Sequence, residues 1–509
     1  MVNGIPWLTV LWLAPAVGAA AVLMVPGGRH TYAKYVGLGA TLTPLVVSAV
    51  LIAGFDTAGK QYQFVENHDW IPSFGAGYTL GLDGIALSMV VLTAGLVPLL
   101  IVAGWNDAPA RGRAVHTYVA LILVVESMAL LTFVALDVLL FYVMFEAILI
   151  PTYLLIGRFG GPDRSRAALK FLLYNLAGGL VMLAAVIGLY VVSAPAGAGF
   201  DIRELVAGAH GSSATTRLLF GGFMFAFAVK APMWPLHTWL PDVATAAKPA
   251  TAVLIMAIVD KIGTFGMVRY CLQLFPDAAT YFRPVIVALS VMAILYGALV
   301  AIGQTDVMRL IAFASLSHFG FITLGVFAMT SQGQAGAILY MVNHGVSTAA
   351  LLLTAGFLVS RGRTRSIDGY GGVRQLAPLL AGTFLVAGLA SLALPGLAPF
   401  ISEFLVLIGT FTRYPAVAVC AALALILSAV YILWMYQRIM TGPVSDSSRR
   451  VDDLRPRELA VVAPLLAVLL GLGIYPKPLL DMVESTVAHT LTVVGQHDPV
   501  PTAAEGTHR

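Results

Sequence analysis

The sequence contains little cysteine, and its two cysteines are far apart. Cys271 and Cys420 lie in or beside apolar runs, and no CxxC or Cys/His spacing occurs around them. Disulfide scaffolds, zinc sites and iron–sulfur ligation need such clusters, so the sequence supports none of these. A dinucleotide fingerprint after a strand and a flavin motif are also missing, and we therefore expect no redox cofactor in this chain.

Charged residues are scarce as well. Only 11% of the 509 residues are charged and 59% are hydrophobic, with a mean hydropathy of +0.89. Soluble proteins carry about 25% charged residues. The net charge is +4, but no basic patch with interleaved aromatic residues indicates nucleic-acid binding. The composition excludes a soluble class and favours a polytopic membrane protein.

Long apolar segments fill most of the chain. A helix needs about 20 apolar residues to cross a bilayer core. Fourteen segments come close to this length, so the sequence predicts an all-α polytopic membrane protein with about 14 transmembrane helices. The segments lie near residues 5–25, 33–53, 84–104, 115–135, 137–157, 168–192, 216–239, 250–274, 284–304, 309–329, 334–359, 378–411, 416–440 and 459–475.

The Lys and Arg residues test this count, because cytoplasmic loops of membrane proteins carry an excess of both. When the 29 Lys and Arg are assigned to alternating sides, 19 fall on one side and 8 on the other. Lys230 and Lys261 remain inside the membrane. The split predicts fourteen crossings, with both termini on the non-cytoplasmic side.

Two of the apolar segments are interrupted by prolines, which break helices. One is broken around Lys230–Pro235 and the other around Pro395–Pro399, and Glu403 follows the second break. Each break therefore has an ionisable residue beside it. Interrupted helices at matching positions of two inverted halves are the sequence sign of a transport path.

Equal spacings indicate an internal repeat. His318 lies 172 residues after Glu146, and Glu403 lies 173 residues after Lys230. This spacing indicates two repeats of five helices each. Because five is an odd number of crossings, the second repeat is inverted in the membrane relative to the first. Leu433 occupies the position equivalent to Lys261, so the repeat is functionally asymmetric. The predicted units are residues 1–110 with helices 1–3, residues 111–280 with the first repeat, residues 281–441 with the second, inverted repeat, and residues 442–509 with a cytoplasmic loop, the last transmembrane helix and a polar tail.

Three charged residues lie in mid-span, where an unpaired charge is expensive. Glu146 is either a counter-charge for Lys230 or a neutral acid hydrogen-bonded between helices. Burial favours a neutral Lys230 and a carboxylate favours a charged one, so this lysine can exchange a proton unless it is paired for structure alone. Lys261 is either the next member of a proton relay or a structural lysine. Asp260 is its neighbour but points about 100° away around the helix.

His318 and His344 are predicted near the centres of consecutive spans. Histidine has an unperturbed pKa of about 6.5, which suits proton passage. A satisfied core histidine is the alternative for each, and haem ligation would need facing axial ligands. Glu403 either passes protons or caps the carbonyls freed by the nearby break. Glu126 has a structural role, or faces the internal axis or a neighbouring subunit.

A set of short motifs surrounds these residues: Phe145-Glu146, Lys230-Ala-Pro232, His237-Thr-Trp-Leu-Pro241-Asp242, Lys261-Ile-Gly263-Thr-Phe-Gly266, Ser317-His318-Phe-Gly320, Asn343-His344-Gly345, Pro395-Gly396 and Phe400-Ile-Ser-Glu403-Phe. The set resembles the antiporter-like subunits of respiratory complex I, the proton-translocating NADH:quinone oxidoreductase. The family also includes chains of multisubunit cation/proton antiporters and membrane hydrogenases. The resemblance extends from about residue 80 to residue 440.

Bacterial complex I has three such subunits, of which the L and N types usually carry lysine where this chain has Glu403. The last span ends near residue 475, which leaves no room for the long lateral helix of the L type. The chain therefore resembles the third type. It departs from the family at Lys248, where Ala-Pro-Thr is common, and at Asp260, which replaces a usually apolar residue. Because of these two departures, the resemblance does not identify the route by which protons enter from the cytoplasm.

The resemblance implies a proton path through six residues, coupled to quinone reduction elsewhere in the enzyme complex. The residues are Glu146, Lys230, Lys261, His318, His344 and Glu403. FMN, iron–sulfur clusters and quinone are then expected in partner subunits and not in this chain. The expected partners are L-type and N-type antiporter-like subunits and membrane lipids, in the inner (plasma) membrane, without nucleic acid. A subunit of a multisubunit Na⁺/H⁺ antiporter or of a membrane-bound hydrogenase is the alternative.

Overall fold

The computed structural model describes residues 4–194, 199–208 and 212–499. The described chain is mostly helical, so the predicted all-α membrane class is confirmed. Outside the described residues lie residues 1–3 of the first predicted unit, residues 195–198 and 209–211 between the predicted spans 168–192 and 216–239, and residues 500–509 of the polar tail with Arg509.

The helices and strands follow one another with short connections. The first half of the chain contains α1 (Trp7–Met24), α2 (His30–Gly54), β1 (Gln63–Ile71), β2 (Ala76–Leu82), α3 (Gly84–Ala103), α4 (Ala114–Val134), α5 (Val138–Phe159), α6 (Arg164–Ser193), α7 (Ile202–Ala207), α8 (Ser213–Lys230) and α9 (Trp239–Ala246). The second half contains α10 (Pro249–Leu272), α11 (Pro276–Ile302), α12 (Val307–Ala328), α13 (Ser331–Gly362), α14 (Pro378–Ser391), α15 (Ala398–Phe411), α16 (Pro415–Met440), α17 (Pro456–Ile474) and α18 (Lys477–Val494).

The number of crossings agrees with the prediction. In the described part of the chain, 12 helices are long and apolar enough to cross a membrane. Two further crossings are interrupted, one made of α8 and α9 and the other of α14 and α15. Together they give the fourteen crossings expected from the sequence.

The helices with the predicted site residues lie in the interior. The apolar windows of α10 and α12 are 100% buried and that of α13 is 94% buried, whereas the window of α17 is 28% buried. Lys261, His318 and His344 are carried by these three interior helices. The charged groups are therefore kept away from lipid by surrounding helices, which is how membrane proteins accommodate them.

The loops lie on two faces. We call the face with Lys248, Arg361 and Arg365, which is the richer in Lys and Arg, the basic face. Ion pairs join its loops to each other and to helix ends. Arg361, at the end of α13, lies 2.5 Å from Glu458, in the first turn of α17. Arg365 lies 3.2 Å from Asp306, which caps the N-terminus of α12.

The opposite face contains two features that were not predicted. β1 and β2 form an antiparallel hairpin, with Glu66 opposite Leu80, in the connection between the second and third predicted crossings. The amphipathic helix α18 follows the last crossing and packs against α3 and α13. The hydroxyl of Thr486 in α18 accepts a hydrogen bond from the N–H of Gly84, at 3.1 Å.

Arg269 corrects the count of charges on the two sides. It is one of the 8 Lys and Arg that the alternating assignment places on the non-cytoplasmic side, but it lies within α10 and its side chain is fully buried. Its guanidinium lies 2.6 Å from the carboxylate of Asp83, which is equally buried. An ion pair in the interior therefore replaces the expected solvated cation.

The two interrupted crossings differ in where their charged residue lies. Lys230 is the last residue of α8, whereas Glu403 lies five residues after the start of α15 at Ala398. The helices before the two breaks end at residues 230 and 391, which are 161 residues apart, whereas Lys230 and Glu403 are 173 apart. The common spacing thus relates the side chains and not the breaks themselves.

Candidate functional site

Lys230 is held at the end of α8, where the chain leaves the helix. Its Nζ donates a hydrogen bond to the carbonyl of Phe145 at 2.6 Å and lies 3.5 Å from the centre of the Phe145 ring. The indole N–H of Trp239 donates to the carbonyl of Val229 at 3.0 Å, which satisfies one of the groups freed by the break. The break therefore positions a buried lysine and keeps its backbone hydrogen-bonded.

Glu146, which lies in α5, is near Lys230 of α8 and interacts with it electrostatically. No ion pair joins the two side chains within the described residues, because the lysine instead donates to the carbonyl of Phe145. Glu146 is partly exposed, and its Oε1 has no hydrogen-bond partner in the described chain. The two side chains thus interact electrostatically without forming an ion pair in the described chain.

Gly179 makes room for Glu146. A methyl group at position 179 would overlap the Glu146 carboxylate, and one at Gly178 would meet Ala226 and Val229 at 3.3 Å. The two glycines therefore let α6 approach both the carboxylate and α8. The Gly178-Gly179 dipeptide was visible in the sequence, but such pairs are too common in membrane helices to assign without the fold.

Lys261 and His344 are in direct contact. Nζ of Lys261 lies 2.8 Å from Nδ1 of His344 and donates to the carbonyl of Met256 at 2.9 Å. The other ring nitrogen of His344 is within 3.0 Å of the Ser315 hydroxyl and 3.1 Å of the Thr348 hydroxyl. A proton on the lysine can pass to the imidazole without either side chain leaving its place.

His318 is linked to Glu403 through a tyrosine. The phenol of Tyr340 lies 2.6 Å from Nδ1 of His318 and donates to Oε2 of Glu403 at 3.3 Å. The rings of His318 and His344 are 5.4 Å apart. The four groups form one buried row. Tyr340 was missed in the sequence, where its position one helical turn before His344 indicates only that the two residues share a side of α13.

The second break is satisfied without Glu403. The carbonyls at the end of α14 accept backbone hydrogen bonds at 3.0 Å each, that of Gly388 from Leu392, that of Leu389 from Leu394 and that of Ala390 from Ala393. Glu403 therefore does not serve as the cap for these carbonyls. Its carboxylate is free to interact with Tyr340 and, through it, with His318.

Haem ligation does not fit the two histidines. All four of their ring nitrogens have hydrogen-bond partners, the longest being 3.4 Å from His318 to Ser391. Their rings lie too close together for a macrocycle between them. Within the part of the chain that the structure describes, no three His, Cys, Asp or Glu side chains converge as a metal site.

Two further polar positions were left open by the sequence. Glu126 is fully buried inside the chain and so does not face a neighbouring subunit, and its oxygens have no hydrogen-bond partner in the described residues. Lys248 lines a polar cavity of about 280 Å³ at the basic face together with Asp107. Burial raises the pKa of the Asp107 carboxyl, and Lys248 opposes this change.

We expect Tyr340→Phe to lower proton transfer through this row by about tenfold, because the phenol joins His318 to Glu403. The loss of the phenol leaves His318 and Glu403 without this partner, which should cost about 1 to 3 kcal/mol in stability. The measurement is the proton-pumping rate of membrane vesicles. Tyr431→Phe is the matched control, since the buried Tyr431 hydroxyl has no partner in the described chain. Equal pumping by both variants would exclude a role for Tyr340.

The described geometry is that of an antiporter-like membrane protein, with two interrupted helices and a row of buried ionisable groups between them. The family model "NADH:quinone oxidoreductase/Mrp antiporter, TM" matches residues 135–428. The match spans more than half of the chain. The chain therefore belongs to this family.

Relatives define the type within the family. The chain is 59% identical to NADH-quinone oxidoreductase subunit M of Mycobacterium tuberculosis, over 99% of this chain and 97% of that protein. A chain of respiratory complex I from Thermus thermophilus matches with a TM-score of 0.87 and 31% identity, over 96% of this chain and 100% of that one. Among the antiporter-like proteins, the chain is thus of the subunit M type, as predicted.

The fold is shared beyond complex I. A chain of the Mrp complex from Dietzia sp. matches with a TM-score of 0.86 and 21% identity, over 96% of this chain and 99% of that one. At this identity the likeness concerns the fold alone. A single scaffold thus occurs both in complex I and in an Mrp complex.

Proposed function

We propose that this chain translocates protons as the M-type subunit in the membrane arm of an NADH:quinone oxidoreductase. The observation that supports this most is the buried row from Lys261 through His344, His318 and Tyr340 to Glu403. Ionisable groups are costly in a membrane interior and usually mark an ion path. A scaffold without transport would have no need for them.

The six predicted residues have separate roles in this proposal. Quinone chemistry elsewhere in the complex changes the electrostatic balance along the membrane arm, and the pair of Glu146 and Lys230 closes or opens in response. This change alters the proton affinity of Lys261. The proton then passes between Lys261 and Glu403 through His344 and His318. Moving one charge against 100 mV costs about 2.3 kcal/mol, which a buried charge pair can supply when it rearranges.

The surroundings of the chain are part of the same proposal. Its neighbours are the L-type and N-type subunits, and FMN, iron–sulfur clusters and quinone are held by partner subunits. The basic face is cytoplasmic, so both termini lie outside the cytoplasm of an inner (plasma) membrane. Residues 111–280 and 281–441 act as two inverted units, and the path joins them at Lys261.

The test is NADH-driven proton pumping by membrane vesicles, with quinone reduction followed in the same sample. Lys230→Ala and Glu403→Gln should each lower pumping at least about tenfold while the complex stays assembled. Glu204→Gln is the matched control, because Glu204 lies exposed in the short helix α7. Unchanged pumping in the first two variants would leave the chain with a purely structural role.

A subunit of a Na⁺/H⁺ antiporter is the second candidate, supported by the fold shared with the Mrp chain. It predicts that NADH drives no pumping in vesicles with this chain, whereas a sodium gradient drives proton exchange. The 59% identity to NADH-quinone oxidoreductase subunit M of Mycobacterium tuberculosis favours the complex I function over this candidate.

A further inference from the structure

Asp260 is a buried carboxylate that the row described above does not use. It is fully buried in α10, and neither of its oxygens has a hydrogen-bond partner in the described part of the chain. An unpartnered buried polar group is costly, and its presence calls for a compensating function. A neutral apolar residue would fill the same place at lower cost.

The local helix geometry sets the direction of Asp260. The segment Leu254–Val259 just before it is a π-helix, and the Asp260 N–H donates to the carbonyl of Ile255, five residues earlier, at 3.0 Å. The next segment, Lys261–Gly266, has α geometry. Such π-turns often occur at functional sites because they reorient side chains.

The side of α10 that carries Asp260 faces α8. Asp260 and Gly263 are three residues apart and thus share one side of the helix. A Cβ on Gly263 would lie 2.6 Å from the N of Ala231 and 2.8 Å from the carbonyl of Phe227, so α10 touches α8 at its end, next to Lys230. Lys261 points elsewhere, to His344 in α13. Asp260 therefore adjoins Lys261 in the chain and lies on the side of α10 that faces the end of α8, where Lys230 is.

The charges agree with this placement. Lys261 and Lys230 both act electrostatically on Asp260, and in the described chain no other charged group does. For Lys261, Asp260 is the one opposing charge among the described residues, whereas Lys230 has both Glu146 and Asp260. Neither lysine forms an ion pair with Asp260 within the described chain, since their nitrogens bind Phe145, Met256 and His344 instead.

We infer that Asp260 is a counter-charge shared by Lys230 and Lys261. Its negative charge lets Lys261 hold a proton in the interior, and the two lysines compete for the Asp260 carboxylate. This inference rests on the proposed proton translocation. When Lys230 is drawn towards Glu146, the carboxylate is left to Lys261, which can then take up a proton. When Lys230 turns back, Lys261 gives its proton up. Asp260 is in this sense a positioning residue for charge and need not bind the transferred proton itself.

The test compares Asp260→Asn, Asp260→Val and Asp260→Glu in vesicles with the whole complex. NADH-driven pumping and quinone reduction are measured over a range of pH. Without the negative charge, Lys261 keeps its proton less well, so pumping by the Asn and Val variants should be lost at a pH at least about one unit lower than in wild type. The Glu variant should restore the wild-type profile. If the Asn variant does not assemble, the Val variant, which leaves no polar group unpaired, carries the test.

Two results would overturn the inference. In the first, the Asn and Val variants pump like wild type at every pH. In the second, all three variants lose pumping equally at every pH, which is the result of a packing defect. Asp481→Asn is the control, since Asp481 is exposed and pairs with Lys477 at 2.6 Å. A wild type that does not pump with NADH would refute the proposed function instead, which separates the two failures.

Discussion

Replacing Lys261 by methionine is expected to lower the proton pumping that depends on this chain by about 10²-fold, with the complex still assembled. Methionine matches the length of the lysine side chain without its charge. Lys261 contacts His344 at 2.8 Å, and its neighbour Asp260 lies on the side of α10 that faces α8. Lys261 therefore joins the two halves of the proton path. Removing a proton-transfer group typically lowers the rate about 10²- to 10⁴-fold.

The packing around Lys261 explains why assembly should survive. Its Nζ lies 4.4 Å from the centre of the Phe319 ring, and the thioether end of methionine can contact this ring instead. The carbonyl of Met256 loses a donor, a cost of about 1 to 3 kcal/mol. This cost is small for a chain with so many buried apolar contacts.

The measurement is pumping and quinone reduction in the same vesicles, with the amount of assembled complex determined for each variant. Lys477→Met is the matched control, because that lysine is exposed at the start of α18. Coupled enzymes slow as a whole when one step is blocked, so quinone reduction should fall too and recover with an uncoupler only in part. Normal pumping by the Lys261→Met variant would exclude Lys261 from the path.

The crossings could be predicted from the sequence because the bilayer fixes their length. Residues 216–239 and 378–411 were also predicted as broken helices, since proline removes a backbone donor and distorts the preceding turn. The mid-span residues Lys261 and Glu403 were found for a similar reason. A charge in an apolar run is rare and therefore informative.

Contacts between helices could not be predicted in the same way. Tyr340 is one of many aromatic residues in apolar segments, and only the packing of α13 against α12 and α15 places it between His318 and Glu403. The π-turns around Lys261 leave no period in the sequence. Helix α18 was missed because its apolar residues cover one side only, so a search for uniformly apolar segments passes over it.

Arg269 and Asp83 show the same limit for a charge pair. Arg269 lies near the end of an apolar segment, where an arginine usually reaches the membrane surface. Asp83 directly precedes the predicted segment 84–104, and an acidic residue at such a boundary is expected in a loop. Their contact depends on α10 and α3 being neighbours, which no local pattern records.

Asp83→Asn is expected to destabilise the protein by about 3 to 5 kcal/mol, because it leaves the buried guanidinium of Arg269 without a counter-charge. Both side chains have 0% exposure and lie 2.6 Å apart. Asparagine keeps the oxygen that accepts a hydrogen bond from the N–H of Ala86 and caps α3, so the change tests the charge and not the cap. The expected result is a lower thermal unfolding midpoint of the purified complex and less assembled subunit in the membrane.

The double variant Asp83→Asn/Arg269→Met is the control that separates a lost charge pair from lost packing. With both charges removed, the site no longer contains an uncompensated ion, and methionine can fill the space beside Phe265, whose ring lies 4.9 Å from the Arg269 guanidinium. The double variant should therefore recover most of the stability that Asp83→Asn loses. If it is less stable than the single variant, the ion pair itself does not account for the effect, and the geometry of the guanidinium among the rings of Tyr62 and Phe265 is what holds α10 in place.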